Sequence, residues 1–251
     1  PATSTGLAAD VIADDAYTNH TTGDVDVVYT VVPVSATGCE GDPVDVTITV
    51  QPEPVVSDIT RTTCSNTRLD ADGATILPVS SDNNLAIGGE SDAWAITNIA
   101  PEAGLTFVSG DDVEDAPFTT TDENRIDNDV WENVTANNLA IVYTVTPTSD
   151  NGCEGDPFTI TVTVQPEPVG TDEELTECSG VEFTFNLDDY VDLTNATYSW
   201  TSNDDTFIEG DETLSGTDAS ITRTYINNAS TTRTIIFNVT PTSEDSCEGE
   251  V

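Results

Sequence analysis

Apolar and polar residues alternate strictly along two short stretches of the chain. Residues 158–164 read Phe-Thr-Ile-Thr-Val-Thr-Val, so Phe158, Ile160, Val162 and Val164 share one face and the threonines the other. Residues 44–50, Val-Asp-Val-Thr-Ile-Thr-Val, alternate in the same way. Successive side chains of a strand point to opposite faces, so the pattern predicts one face in a core and one in water. Just before these runs, Ile141-Val142-Tyr143-Thr144-Val145 and Val27-Val28-Tyr29-Thr30-Val31 predict partner strands. The turn signal Asp150-Asn151-Gly152 makes the pair a hairpin with a cysteine beside its tip. Further strands are predicted at 93–96, 105–108, 181–187, 196–200 and 221–225. Many short strands, with a tryptophan in the early middle of each set, predict an all-β Greek-key sandwich. Trp94 and Trp200 are expected to anchor its cores.

The pattern is itself repeated. Gly38-Cys39-Glu40-Gly41-Asp42-Pro43 returns as Gly152-Cys153-Glu154-Gly155-Asp156-Pro157. Tyr29, Pro33, Gln51, Pro52, Pro54 and Cys64 recur 114 residues later as Tyr143, Pro147, Gln165, Pro166, Pro168 and Cys178. A third copy begins at Phe237 and carries Cys247-Glu248-Gly249. The modules are therefore expected at 1–52 (the C-terminal part of one), 53–168 (complete) and 169–251 (without its last strand). Gln51-Pro52-Glu53-Pro54 and Gln165-Pro166-Glu167-Pro168 lie between them. Alternate prolines favour an extended, semi-rigid path, so the modules are expected to lie end to end. Pro1 falls inside a module, and the expectation is a window from a longer protein with any export signal elsewhere.

Charge narrows the partners. Lys+Arg number 5 against 47 Asp+Glu, for a net charge of −42. Such a surface repels nucleic acid and anionic lipid, and neither is expected as a partner. No apolar run approaches the roughly 18 residues of a membrane span.

The cysteines are Cys39, Cys64, Cys153, Cys178 and Cys247, with no CxxC pair and one histidine. Zinc has no plausible ligand set here. Two disulfide registers fit the repeat. Pairing within modules gives Cys64–Cys153 and Cys178–Cys247, with Cys39 bonded to a cysteine upstream. Pairing across the linkers gives Cys39–Cys64 and Cys153–Cys178. The first is the expected one, because long closed loops contribute most in the chain-entropy model. Either implies an oxidising, extracellular setting.

Catalytic chemistry is sparse. His20 is the single histidine, and the matching position of the next copy is Val134, so a general base is not expected there. No nucleophile elbow or phosphate loop is present. No cofactor is expected, and calcium is the one ion with candidate ligands. Its candidate ligands are Glu40, Asp42, Glu154 and Asp156 beside the hairpin tips, and Asp70 with Asp72. Further acidic clusters are Asp111-Asp112 with Glu114 and Asp115, Asp122-Glu123 with Asp127 and Asp129, and Asp188-Asp189 with Asp192. The default reading for all of them is a solvated acidic surface. Asn19, Asn133, Asn195, Asn228 and Asn238 stand in N-glycosylation patterns.

The stretch Tyr143 to Pro168, with Thr176-Glu177-Cys178-Ser179-Gly180 behind it, resembles the end and start of the PKD-like repeats in giant Bacteroidota surface adhesins, including those of gliding motility. The resemblance covers the whole chain. It departs from ordinary PKD domains in lacking their acidic Gly-rich motif after Trp94 and Trp200. It implies tandem immunoglobulin-like sandwiches with no enzymatic activity, exported by a type IX system to the cell surface. The function implied is a rigid spacer. Its partners would be neighbouring modules of one long chain, surface motility machinery or extracellular polysaccharide. Two alternatives stay open. Accessory modules of a secreted hydrolase would show an exposed aromatic row, for which Tyr17, Trp131 and Tyr225 are candidates; a filament subunit would exchange strands between copies.

Overall fold

The computed structural model describes residues 11–19, 21, 23–70, 76–77, 93–110, 116–120, 125–149, 152–203, 205, 207–210 and 214–249. In the first segment, β1 (Val25–Val31) and β2 (Val44–Val50) form an antiparallel hairpin with Val25 opposite Val50.

The middle segment holds β3 (Ile59–Cys64), β4 (Ala93–Pro101), β5 (Leu105–Ser109), β6 (Phe118–Thr120), β7 (Val130–Asn133), β8 (Leu139–Thr148) and β9 (Phe158–Gln165). One sheet has the order β3-β9-β8-β4-β6, and β5 with β7 forms a second. The threonine alternation appears directly as burial. Phe158, Ile160, Val162 and Val164 are all buried, and the intervening threonines are half-buried. Their face meets Trp94, Ile96, Ile141, Tyr143 and Val145 from the same sheet and Trp131 from β7. Trp94 and Phe158 pack edge to face with centroids 6.3 Å apart, and Phe107 meets Trp131 in the same way at 5.3 Å.

One pairing was not legible from the alternation: β3 runs parallel to β9, with Ile59 beside Ile160 and Cys64 beside Gln165. This register starts where the Thr159 N–H donates to Asp58 Oδ1 at 2.7 Å, a bond that holds the Asp58 carboxyl below its ordinary value. A parallel neighbour needs a long crossover rather than a turn, and the intervening strands of the segment supply it.

The third segment holds β10 (Glu182–Asn186), β11 (Thr197–Ser202), β12 (Ile208–Glu209), β13 (Ser215–Gly216), β14 (Ser220–Thr224), β15 (Ile226–Asn227) and β16 (Phe237–Thr242). β11 lies between β13 and β16, while β10 pairs with β14 and β12 with β15. Among the described residues its core is small: Leu187, Tyr198, Trp200 and Ile221 are buried, with Phe185, Phe237 and Val239 packed against them. Gly216 is required by this packing, because a Cβ there would lie 2.3 Å from the Trp200 ring. Both predicted tryptophan anchors are therefore core residues.

The first segment differs from the middle one in burial rather than pattern. β2 is exposed along nearly its whole length, although its sequence matches β9. Among the described residues, no second sheet covers it. The fold is all-β, built from tandem sandwich repeats.

Few cations serve this acidic chain, and several of them sit on rings. Arg125 lies 5.1 Å from the Phe118 centroid, Arg223 5.1 Å from that of Trp200 and Arg233 4.3 Å from that of Phe207. Such contacts stabilise a guanidinium while its stem covers apolar surface.

Candidate functional site

The repeated cysteine hairpins adopt one backbone design. In the middle copy, Ser149 N donates to Cys153 O at 2.9 Å, Gly152 N to Ser149 O at 2.8 Å and Gly155 N to Pro147 O at 2.9 Å. The first copy makes the same bonds through Ser35, Gly38 and Gly41, and the third through Ser243, Ser246 and Gly249. The serine hydroxyl also accepts the cysteine N–H in each copy, at 3.0, 3.2 and 3.1 Å. The residue before each cysteine has positive φ: Gly38 at 84°, Gly152 at 79° and Ser246 at 68°. That conformation explains the glycine in two copies, since a residue with a Cβ is strained there.

A second repeated device fixes the other cysteines. After Cys64, Ser65 Oγ accepts Asn133 N–H at 3.0 Å and Asn66 N donates to Trp131 O at 2.9 Å. After Cys178, Ser179 Oγ accepts Asn227 N–H at 3.0 Å and Gly180 N donates to Tyr225 O at 2.8 Å. Asn66 and Gly180 both take positive φ, 55° and 81°.

These two devices meet at the joints. A Cβ on Gly155 would lie 2.0 Å from Pro54 O, and one on Gly249 would lie 1.9 Å from Pro168 O. Each hairpin thus packs its glycine onto the proline linker that precedes its own repeat. At the later joint, Cys247 is bonded to Cys64, 183 residues away in sequence, with Cα atoms 5.6 Å apart. Cys39, Cys153 and Cys178 are free thiols.

This bond corrects both expected registers. Cys64–Cys153 and Cys178–Cys247 do not form, and neither does Cys39–Cys64 or Cys153–Cys178. The cause is the parallel pairing of β3 with β9. Cys64 lies beside Gln165 at the end of β9, whereas Cys153 lies on the hairpin before β9 begins. The length of β9 separates them, about 25 Å at strand rise, while a disulfide needs Cα atoms within about 7 Å. Cys64 is thus carried to the pole from which the linker leaves, and the neighbouring repeat supplies its partner.

The calcium candidates are scattered. Glu40, Asp42, Glu154 and Asp156 are exposed on separate hairpins, with Glu40 bridged to Val34 and Glu154 to Thr148 through the backbone. Asp70 pairs with Arg68 at 3.0 Å. Asp127 accepts Ile76 N–H, Asp188 the Tyr198 hydroxyl and Asp192 Val169 N–H. Among the described residues no three acidic, histidine or cysteine side chains gather as a metal site. Asp72, Asp111, Asp112, Glu114, Asp115, Asp122, Glu123 and His20 lie outside the described residues.

Two groups that invite a chemical reading are structural. The Trp131 indole donates to the Tyr143 hydroxyl at 3.1 Å, which donates to Asp129 Oδ2 at 3.0 Å. Burial, and then the Asp129 carboxylate, push the Tyr143 phenol well above its ordinary value, so it stays a neutral donor inside the core. Asn133, in a glycosylation pattern, is buried. Its amide donates to Asn137 O and Val164 O, both at 2.8 Å, and its Oδ1 accepts from Thr135. Asn19 does the same with Gly23 O and Val50 O. Both amides are committed to tying a loop to the last strand of the repeat. Sequence reasoning missed this role; the signal was the Asn at one position of each copy: 19, 133 and 227.

The aromatic row that the hydrolase alternative would show is not assembled: Trp131 is buried, Tyr225 is half-buried against Phe183 at 5.8 Å, and Tyr17 is exposed beside Tyr29. A groove of about 430 Å³ on β11, β13 and β16 is lined by Trp200 and by Ser, Thr, Gly and Asn residues, without an ionisable group.

The joints and sandwiches define a tandem array of β-repeats. A model of the PKD-like domain matches residues 2–54, 61–168 and 175–251, and the chain belongs to that family. No curated protein matches. Among solved structures, the chain is similar to the FN1-FN3 domains of chicken CNTN1 at 13% identity and a TM-score of 0.35, over 89% of this chain and 72% of that one. No helix among the described residues is long and apolar enough to cross a membrane.

Proposed function

We propose that this chain is a non-catalytic spacer segment of a long, secreted cell-surface adhesin or filament, exported through a type IX system and used in attachment or gliding. The observation that carries the reading is the Cys64–Cys247 bond across a joint. Tension applied along the chain enters at Cys64, crosses the sulfur bridge and leaves at Cys247. Residues 65–246 are thereby removed from the path of the force. Hydrogen-bonded sheets, proline linkers and glycine-to-linker packing hold the repeats in place, and the high negative charge opposes lateral clumping. A disulfide of this kind favours an oxidising location, on the extracellular side. The neighbours of the segment are further repeats of the same chain, with motility machinery or polysaccharide contacted elsewhere.

The test exchanges residues 53–251, within the full-length adhesin, for unrelated sandwich repeats of equal number, and separately deletes them. Attachment and gliding are expected to survive the exchange and fail on deletion. An exchange as damaging as the deletion would point instead to a specific binding surface on these repeats.

A further inference from the structure

The earlier joint, between the first and middle segments, repeats the contacts that the hairpin cysteine and the hairpin glycine make at the later one. Cys153 Sγ donates to Gln51 Oε1 at 3.6 Å, and Cys247 Sγ lies 3.7 Å from Gln165 Oε1. Gly155 meets Pro54 as Gly249 meets Pro168. The hairpin bonds around the two cysteines are the same. What differs is the strand beside the glutamine. Cys64 lies next to Gln165 on β3. Among the described residues, β2 pairs with β1 alone, and no strand lies beside Gln51 as β3 lies beside Gln165. Cys178, in turn, is held by the same serine clip as Cys64, is exposed and is a free thiol.

We propose that the array is stapled in a register of one, with the first-strand cysteine of each repeat bonded to the hairpin cysteine of the next. Cys153 then takes a cysteine from the first strand of a preceding PKD-like repeat, laid parallel against β2. Cys39 does the same one repeat earlier. Cys178 takes the hairpin cysteine of a following repeat. Each closure converts two thiols to one disulfide. The two electrons and two protons pass to a disulfide-bearing oxidant, which is released as thiols. Successive loops overlap, since Cys178 lies inside the loop closed by Cys64 and Cys247. An array bonded in this register has no repeat that can unravel alone. The proposal stands on repeat geometry and does not require the array to be an adhesin spacer.

The probe is a synthetic peptide of residues 57–67, the β3 strand with its cysteine, supplied as its mixed disulfide with glutathione. It is equilibrated with the full 251-residue chain. Exchange at Cys153 forms the protein–peptide bond and breaks the peptide–glutathione bond, and glutathione leaves with the proton that Cys153 gives up. Peptide mapping by mass spectrometry then reads which thiol carries the probe. Oxidised glutathione alone should favour the exposed Cys39 and Cys178. The peptide should reverse that order and load Cys153 about tenfold over either, because pairing with β2 raises its local concentration. A peptide of the same length with Thr62→Cys and Cys64→Ser should lose the preference, its thiol being two residues out of register. A peptide distribution equal to that of glutathione, or a preference unchanged by moving the cysteine, would overturn the proposal.

Discussion

Trp94→Ala will lower the melting transition of the middle repeat by roughly 12 °C or more, at about 4 °C per kcal/mol for a domain of this size. Trp94 is 1% exposed and lies on β4, between Pro147 of β8 and Thr120 of β6, with its ring edge to face against Phe158. Truncating a buried tryptophan leaves a cavity and costs about 3–5 kcal/mol. That is a large share of the roughly 5–15 kcal/mol that holds a domain folded. The equivalent Trp200→Ala should lower the transition of the third repeat and leave the middle one nearly unmoved, because the two cores are separate clusters. Circular dichroism on heating checks both. A shift under about 4 °C for Trp94→Ala would mean that this ring does not organise the core.

The strands legible in the sequence were those whose burial alternates. β8 and β9 announce themselves through Tyr143-Thr-Val and Ile160-Thr-Val, since half of each strand is in the core and half is not. β6, β12, β13 and β15 span two or three residues each, too short for any period to register. The positions of the cysteines were equally legible, but their pairing was not. Pairing depends on the direction of β3, and the alternation of a strand is the same read either way. Loop length favoured Cys64–Cys153, but the parallel run of β3 beside β9 carries Cys64 to the opposite pole from Cys153. Asn133 carried a related ambiguity: the pattern that marks a glycosylation acceptor also marks an Asx turn, and only the donors to Val164 O and Asn137 O separate them.

Cys247→Ser will destabilise the third repeat more than the middle one. In the chain-entropy model, closing a loop of this length contributes about 5 kcal/mol. The third repeat depends on it most, having among the described residues four buried hydrophobic residues in its cluster where the middle one has fourteen. Its transition should fall by at least 10 °C, at about 4 °C per kcal/mol. Reductant should do the same to the unmodified chain and add nothing to the variant. Cys153→Ser, which removes no disulfide of this chain and keeps a donor for Gln51, should move the transition by less than about 2 °C. Equal loss from the two substitutions would assign the stabilisation to the hairpins themselves and not to the bond.

The decisive measurement is single-molecule extension of the chain held by its two ends, before and after reduction. With Cys64–Cys247 intact, residues 65–246 are outside the force path and only the flanking residues can lengthen. Reduction should release roughly 600 Å of further extension, the contour of the bypassed residues at about 3.5 Å each. An oxidised chain that already yields that length would contradict the account, because the repeats would then unravel under load whether or not the joint is bonded.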